Sequence, residues 1–276
     1  MNWQVVRAIM WKDIHIVRTN RMVWVPMIVV PVFLMALLPL GLVLVPRLAP
    51  AEFASGEMMA EDFGAMLTAL PDGIRQRLME MDPTQQWIYL ATTHVFAPMF
   101  LILPIMLSSI VASDSFAGER ERGTLEPLLY TPVSEGELFA GKVLAALVPA
   151  IGLGLAAFAL NVVVVNAAGY GPMGGIFFPD TAWILMVLLL APACALFGLG
   201  VTVLISSKAK TVTGAQQASG ALVLPVVILV VGQLAGAFYF GSRVILLATI
   251  IAGGLGVALV WLGARTFRRG ELIARI

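Results

Sequence analysis

The sequence contains few charged residues for its length. Of its 276 residues, 12% are charged and 60% are hydrophobic. A soluble domain carries about 25% charged residues, so this chain lacks the polar surface that a soluble protein needs. The composition predicts a protein of the lipid bilayer, and no nucleic-acid partner is expected.

The chain also lacks the groups that catalysis or cofactor binding would use. The single cysteine, Cys194, lies in an apolar run and can form neither an internal disulfide nor a thiolate metal cluster. No nucleotide-binding loop is present, because Gly118 and Gly123 have its spacing but Thr124 follows instead of Lys. The predicted spans hold no Asp or Glu and no clustered histidines. We therefore expect no enzyme, no metal site and no cofactor in this chain, and a proton-driven carrier is disfavoured.

What the sequence has in quantity is long apolar runs. A bilayer core requires about 20 apolar residues per helix. Lipid offers no partner for an unpaired backbone amide, which favours helices, and the period-two alternation of a β-barrel is absent. The sequence thus predicts an all-α membrane protein with six transmembrane helices, at Met22–Val45, Trp87–Ser113, Val143–Ala168, Thr181–Ser207, Val212–Phe240 and Val244–Ala264.

Lysine and arginine predict the orientation, because cytoplasmic loops carry an excess of both. With six spans, the termini share one side with residues 114–142 and 206–211. That side holds Arg7, Lys12, Arg18, Arg21, Arg120, Arg122, Lys142, Lys208, Lys210, Arg265, Arg268, Arg269 and Arg275, and the other holds Arg47, Arg75, Arg77 and Arg243. The larger set predicts cytoplasmic termini in a multi-pass protein of the cell membrane.

Three segments flank or interrupt the spans of the transmembrane domain, residues 22–264. Residues 1–21 place apolar side chains at helical spacing, at Trp3, Val6, Met10, Ile14 and Val17, and predict an amphipathic helix in the membrane interface. Residues 47–86 form an acidic external loop with a short helix on each side of Pro71. This loop is either a cation-attracting vestibule or a solvated cap. Residues 265–276 form a basic tail.

A dense charged stretch follows the second predicted span. Within residues 114–122, Glu119 stands three residues before Arg122, the spacing of an ion pair on a helix. Gly123 interrupts this helix. The stretch begins the predicted cytoplasmic loop, 114–142.

A short apolar helix is predicted next in the same loop. Thr124 suits a helix N-cap, and Pro132 disfavours helical backbone at the residue before it. Ser134 and Glu137 form a capping box that starts the following helix. One face of the short helix carries three leucines: Leu125, Leu128 and Leu129. A protruding apolar face favours a binding partner, and an ordinary solvated loop is the alternative.

The whole motif resembles a known family signature. Residues 116–129, FAGERERGTLEPLL, followed by Thr131-Pro132 and Gly141-Lys142, are similar to the signature of type 2 ABC exporter permeases, especially the sodium-extrusion-like and multidrug-like branch. The six predicted spans, the amphipathic amino-terminal helix and the large first external loop also resemble that family.

The resemblance implies a permease subunit with a cytoplasmic coupling helix that docks in a separate ABC ATPase subunit, which would bind ATP and Mg²⁺. A second permease subunit, identical or related, is also implied. Polar contacts to the ATPase would come from Glu119, Arg120, Glu121 and Arg122. The turn would be shaped by Gly123, Thr124 and Glu126, and the cleft would be filled by Leu125, Leu128 and Leu129. The alternative is an ATPase-independent channel or scaffold whose loop binds another partner.

Polar side chains within the predicted spans are the candidates for a transport path. They are sparse: Thr92, His94, Asn161, Asn166 and Gln233. His94 could sense pH or move a proton. The alternative for each residue is an interhelical hydrogen bond that only stabilises packing.

Overall fold

All regular structure in the described chain is helical. The computed structural model describes residues 1–48, 57–123, 133–209 and 211–266. The helices follow one another as α1 (Trp3–Thr19), α2 (Arg21–Leu48), α3 (Glu57–Ala69), α4 (Asp72–Met79), α5 (Pro83–Tyr89), α6 (Ile102–Glu121), α7 (Glu135–Met173), α8 (Thr181–Ser206), α9 (Val212–Leu234) and α10 (Ser242–Thr266).

Six helices of the described chain are long and apolar enough to cross a membrane: α2, α6 with the turn before it, and α7 to α10. Each of the six predicted stretches overlaps one of them, so the predicted fold class is confirmed. The two short helices predicted around Pro71 are α3 and α4. The predicted coupling helix, including Thr124, Leu125, Glu126, Leu128 and Leu129, lies outside the described residues.

The second span begins later than predicted. Instead of starting at Trp87, the chain continues α5 through a π-helical segment, Leu90–Val95, and breaks at Phe96 before a new turn at Ala97–Phe100. Pro98 lies in that first turn, where its missing N–H is tolerated. The break places His94 before the membrane-spanning helix rather than within it.

The same span also ends later than predicted. The prediction ended it at Ser113, but α6 continues to Glu121, so Asp114 and Glu119 are helical residues. Both side chains are almost completely buried. The predicted span and the helical stretch predicted over residues 114–122 are therefore one continuous helix, which carries Asp114 and Glu119 near its end.

Helix α7 is much longer than a bilayer core. Its 39 residues correspond to about 58 Å, against about 30 Å of hydrocarbon. The predicted capping box of Ser134 and Glu137 starts it, with both reciprocal hydrogen bonds present. The first turns of α7 pack against α1. These turns, residues 135–142, precede the apolar span that was predicted at Val143–Ala168.

The centre of the bundle is formed by α6 and α8, which are largely buried, whereas α9 and α10 are mostly exposed. Small residues bring α8 and α10 together. A Cβ atom at Gly256 would lie 2.8 Å from the backbone nitrogen of Phe197, and one at Gly200 would lie 2.8 Å from Cβ of Leu259. Only glycine permits such a close approach of the two helices.

The bundle has two ends that differ in chemistry. At the first, the α1 end, lie α1, the end of α6, the start of α7 and the α8–α9 connection, where the Glu121 carboxylate accepts a hydrogen bond from the Val212 backbone N–H at 2.8 Å. At the other, the far end, α3, α4 and α5 form a small core against the end of α9, built around Phe63, Met66 and Leu78.

Candidate functional site: an ionic cluster at the α1 end

Helix α1 is held against the bundle by one buried face. Val6, Asp13 and Val17 occupy that face, and the Asn2 side chain caps the helix by accepting from the Gln4 N–H at 3.0 Å. The partner helix approaches very closely, since a Cβ atom at Gly141 of α7 would lie 2.7 Å from Cγ2 of Ile9. Gly141 therefore permits the contact that brings Asp13 to the start of α7.

Lys142, the next residue, is the centre of a buried ionic cluster. Its side chain is fully buried, and its ammonium lies 2.6 Å from Oε2 of Glu119 and 3.5 Å from Oδ2 of Asp13. The ammonium also donates to the Ser115 carbonyl at 2.6 Å. A buried charge requires partners of this kind, because leaving water costs several kcal/mol per ion. One lysine thus joins α1, α6 and α7.

Lys12 completes the cluster from its solvent side. Its ammonium lies 2.8 Å from Oε1 of Glu119 and 3.0 Å from Oδ1 of Asp13. Burial works to lower the pKa of Lys12, but the hydrogen bond to Glu119 and the charges of both carboxylates outweigh it and raise the pKa above its ordinary value. Lys12 therefore remains an ammonium at neutral pH.

A second ion pair lies beside the cluster on the last turns of α6. The Arg122 guanidinium donates to Oδ1 of Asp114 at 3.0 Å and to the Asp114 carbonyl at 3.2 Å. The Asn20 side chain, at the corner between α1 and α2, donates to the same carboxylate at 3.5 Å. Arg122 lies across Gly118, where a Cβ atom would be 2.7 Å from its Nη2. Gly118 thus provides the space in which Arg122 folds back along α6.

The six charges of the two groups balance. Three cations, Lys12, Arg122 and Lys142, face three carboxylates: Asp13, Asp114 and Glu119. Such a neutral network is strongly destabilised when one member is removed, because the remaining charge is left buried. Asp114, Glu119, Arg122 and Lys142 lie on the two sides of residues 124–132, and Lys12 and Asp13 join them from α1. The arrangement can hold α1, α6 and α7 in a fixed relation next to that loop.

The predicted ATPase-contacting residues separate into different environments. Glu119 is buried in the ionic cluster and pairs with lysines of α1 and α7, so the predicted Glu119–Arg122 ion pair is replaced by longer-range pairs. Glu121 is exposed and accepts from Val212. Gly123 ends α6 with a left-handed φ of 66°, which glycine adopts without strain. The Arg120 side chain lies outside the described residues.

Two of the predicted path residues meet at the helix break of the far end. Pro98 has no N–H to donate to the His94 carbonyl four residues before it. The Gln233 side chain of α9 donates to that carbonyl instead, at 2.9 Å. Thr92 lies within the same segment and donates to the Ile88 carbonyl at 2.6 Å. This geometry is that of interhelical stabilisation around a broken helix.

The His94 ring is enclosed by aromatic groups. Tyr89 and Tyr239 contact it edge to face, with ring centroids 5.3 and 5.5 Å away. Nearby, the Trp183 indole of α8 donates to the Thr93 carbonyl at 2.8 Å. The broken helix is therefore joined to both α8 and α9.

The two asparagines of α7 lie apart from this group and from each other. Asn166 donates to the carbonyl oxygens of Val162 and Phe178 and accepts the backbone N–H groups of Phe177 and Phe178. It thus fixes the connection between α7 and α8. Asn161 is fully buried and donates to the Met35 sulfur at 3.4 Å. The five predicted path residues do not converge on one site.

The sequence matches a family model described as "ABC-2 family transporter protein" over residues 7–258. The match includes α1 from Arg7 onward, all six membrane-spanning helices in large part and every charge of the ionic cluster. The chain belongs to the ABC-2 transporter family. A comparison with curated proteins finds no match.

Membership of the ABC-2 family confirms a multi-pass membrane transport protein. Among the described residues, no three His, Cys, Asp or Glu side chains are placed to hold a metal ion. Four members of these ion pairs are not among the predicted site residues: Lys12, Asp13, Asp114 and Lys142. A signal for Asp13 existed, since it stands seven residues after Val6 and four before Val17, on the apolar stripe of α1. The charge spacing predicts a helix over residues 114–122, but it does not indicate that this helix continues the second span and buries Asp114.

Proposed function

We propose that this chain is the membrane-spanning subunit of an ATP-driven exporter of the sodium-extrusion-like and multidrug-like branch. Residues 124–132 would dock on a separate ABC ATPase subunit that binds ATP and Mg²⁺. The ABC-2 family match over residues 7–258 carries this proposal, and the likeness of residues 116–129 to the branch signature supports it. A second permease subunit would complete the membrane domain, with both termini and the loop in the cytoplasm.

The ionic cluster supports a mechanism for force transmission. The loop joins the end of α6 to the start of α7, and Glu119 and Lys142 connect these two helices at 2.6 Å. Asp13 and Lys12 add α1 to the same unit. A displacement of the loop by the ATPase would move the three helices together. Separating the helices would break the ion pairs and leave their charges without partners, which is costly. The cluster would thus make α1, α6 and α7 respond to the loop as one rigid unit.

The test is a charge reversal at an exposed residue next to the loop. The full chain is reconstituted in vesicles with its ATPase subunit, and ATP hydrolysis and substrate efflux are measured separately. We expect Glu121→Lys to retain membrane insertion and ATP hydrolysis but to lose efflux. Glu121 is exposed and is the last residue of α6, next to the loop that would contact the ATPase. Arg243→Glu, at an exposed arginine of the far end, is the control and should couple normally.

Deletion of residues 124–130, which leaves the ionic cluster intact, should abolish co-purification of the ATPase with the permease. Unchanged coupling in both Glu121→Lys and Arg122→Glu would refute the assigned contacts. Full transport by the chain in vesicles that contain no ATPase would instead support a channel, and a complex with another cytoplasmic protein would support a scaffold.

A further inference from the structure

Helix α1 carries a second, outward face with a regular pattern. Trp3, Arg7, Trp11 and His15 recur at intervals of four residues, and Arg18 follows on the same side. All are exposed, and the exposed fractions of Trp3 and Trp11 are 64% and 53%. Two large indole rings therefore alternate with basic groups along one stripe of the helix.

The charge on this outward face is all of one sign. The single carboxylate of α1, Asp13, is buried and paired with Lys12 and Lys142 on the opposite face. Among the described residues, no carboxylate lies within ion-pair distance of Arg7 or Arg18. An outward face with uncompensated positive charge is complementary to an anionic surface.

The connection to α2 places α1 at the membrane surface. Asn20 is the only residue between α1 and the first membrane-spanning helix: its backbone N–H bonds the Ile16 carbonyl, and its side chain accepts from the Met22 N–H at 3.2 Å. Both helices are therefore capped by one residue. The one-residue link keeps the carboxyl end of α1 at the start of the first span.

Other tryptophans lie at the same end of the bundle. Trp24 is in the first turns of α2, and Trp261 is near the end of α10, with the Arg265 guanidinium 3.5 Å from its ring centroid. A Cβ atom at Gly263 would lie 3.6 Å from Cζ of Phe139 at the start of α7, which places this part of α10 beside the α1 end. Exposed indole rings with basic neighbours at one level are typical of a membrane–water interface.

We infer that the outward face of α1 is a binding surface for anionic phospholipid headgroups. Indole rings fit the headgroup level, and guanidinium groups bind phosphate oxygens in a forked geometry. A zwitterionic headgroup also carries a phosphate, but its ammonium leaves no net negative charge to balance the two arginines. Lys12 connects the two faces, since its side chain is 40% exposed and pairs with Glu119. The inference is independent of the proposed ATP-driven function.

Brominated lipids test this directly, because bromine quenches nearby tryptophan fluorescence. The full chain is reconstituted in vesicles of 70% phosphatidylcholine and 30% phosphatidylglycerol. Bromine is placed either on the phosphatidylglycerol or on an equal amount of phosphatidylcholine, so that the surface charge is identical. The signal of Trp3 and Trp11 is obtained by subtracting that of the Trp3→Phe/Trp11→Phe variant. We expect the brominated anionic lipid to be enriched at these rings by at least about fivefold per contributing arginine.

Matched variants separate recognition from simple membrane contact. Arg7→Gln/Arg18→Gln should reduce the preference to near unity, whereas Arg7→Lys/Arg18→Lys should retain most of it. Arg243→Gln, at the far end, should leave it unchanged, and 1 M salt should weaken it by screening. Equal quenching by both lipids in the parent chain would overturn the inference, and so would an absence of quenching by either.

Discussion

The two ends of the bundle pair their buried polar groups with different chemistry. At the α1 end, buried polar groups are charged, and Lys142 is shared by Asp13 and Glu119 of two other helices. At the far end the groups around the helix break are neutral, and the Gln233 side chain supplies the bond to the His94 carbonyl that the broken helix has lost. The charges at the α1 end link three helices through one lysine, whereas the Gln233 bond links one pair of segments.

This difference has a consequence for how each end responds to change. Loss of one neutral hydrogen bond leaves a group whose desolvation cost is modest, about 1–3 kcal/mol. Loss of one member of a buried ionic network leaves an unpaired charge, which costs considerably more. The α1 end should therefore behave as one cooperative unit, and the far end as a set of separate contacts.

The largest expected effect is that of Lys142→Met. The substitution keeps an unbranched side chain of similar size but leaves Asp13 and Glu119 with Lys12 as their only cation of the cluster. We expect a loss of about 3–5 kcal/mol of stability, measured as the thermal unfolding of the detergent-solubilised full chain.

Restoring the charge balance should reverse part of this loss. In Asp13→Asn/Lys142→Met the pair between Lys12 and Glu119, at 2.8 Å, remains and the cluster is neutral again. The double variant should therefore be more stable than Lys142→Met alone. A double variant less stable than the single one would show that the three helices are not held by charge compensation.

Much of the fold could be predicted because lipid imposes strong constraints on sequence. Six apolar runs, the helix at the amino terminus and the capping box of Ser134 all follow from local patterns, and the helices are present. The boundaries of the second span could not be predicted in this way. By hydropathy, Asp114 and Glu119 lie outside the apolar run. Their burial depends on distant partners, which are Arg122 and Asn20 for Asp114 and Lys12 and Lys142 for Glu119.

The candidate site was less accessible to sequence analysis. Residues 13, 119 and 142 are far apart along the chain, and nothing local shows that they meet. The spacing of Glu119 and Arg122 predicts an ion pair between them, but Glu119 pairs with Lys12 and Arg122 pairs with Asp114. An exposed pair on one helix contributes little, so a buried partner is preferred. The pattern on α1 did contain a usable signal, an aspartate on an otherwise apolar stripe.

The next largest effect concerns the close packing that builds the cluster. A methyl group at position 141 would meet Cγ2 of Ile9 at 2.7 Å and the Val6 carbonyl oxygen at 3.1 Å. We expect Gly141→Ala to cost about 1–3 kcal/mol through overpacking, in the same unfolding measurement. Gly152→Ala, on the same helix with open space around it, should be neutral or stabilising because alanine favours helix. Equal effects of the two variants would refute this account.

A smaller effect is expected at the far end. Gln233→Leu removes the donor to the His94 carbonyl and leaves that carbonyl without the bond that Pro98 cannot supply. Interhelical hydrogen bonds of this kind are worth about 0.6–1.7 kcal/mol. The Lys142→Met/Gln233→Leu double variant should show additive losses, since the two sites lie at opposite ends. Strong non-additivity would indicate that the ends are coupled and contradict the contrast between them.

The smallest effect should come from Glu121→Gln. Glu121 and Lys142 lie at the same end of the bundle, but Glu121 is exposed and Lys142 is buried. Glu121 is at the surface, and its carboxylate accepts the Val212 N–H at 2.8 Å. The amide oxygen of glutamine can accept the same bond, and a surface substitution of this kind shifts stability by no more than about 0.5 kcal/mol. Unfolding temperatures of Glu121→Gln and the parent should therefore coincide closely. A loss approaching that of Lys142→Met would mean that Glu121 belongs to the buried network and that the cluster extends to α9.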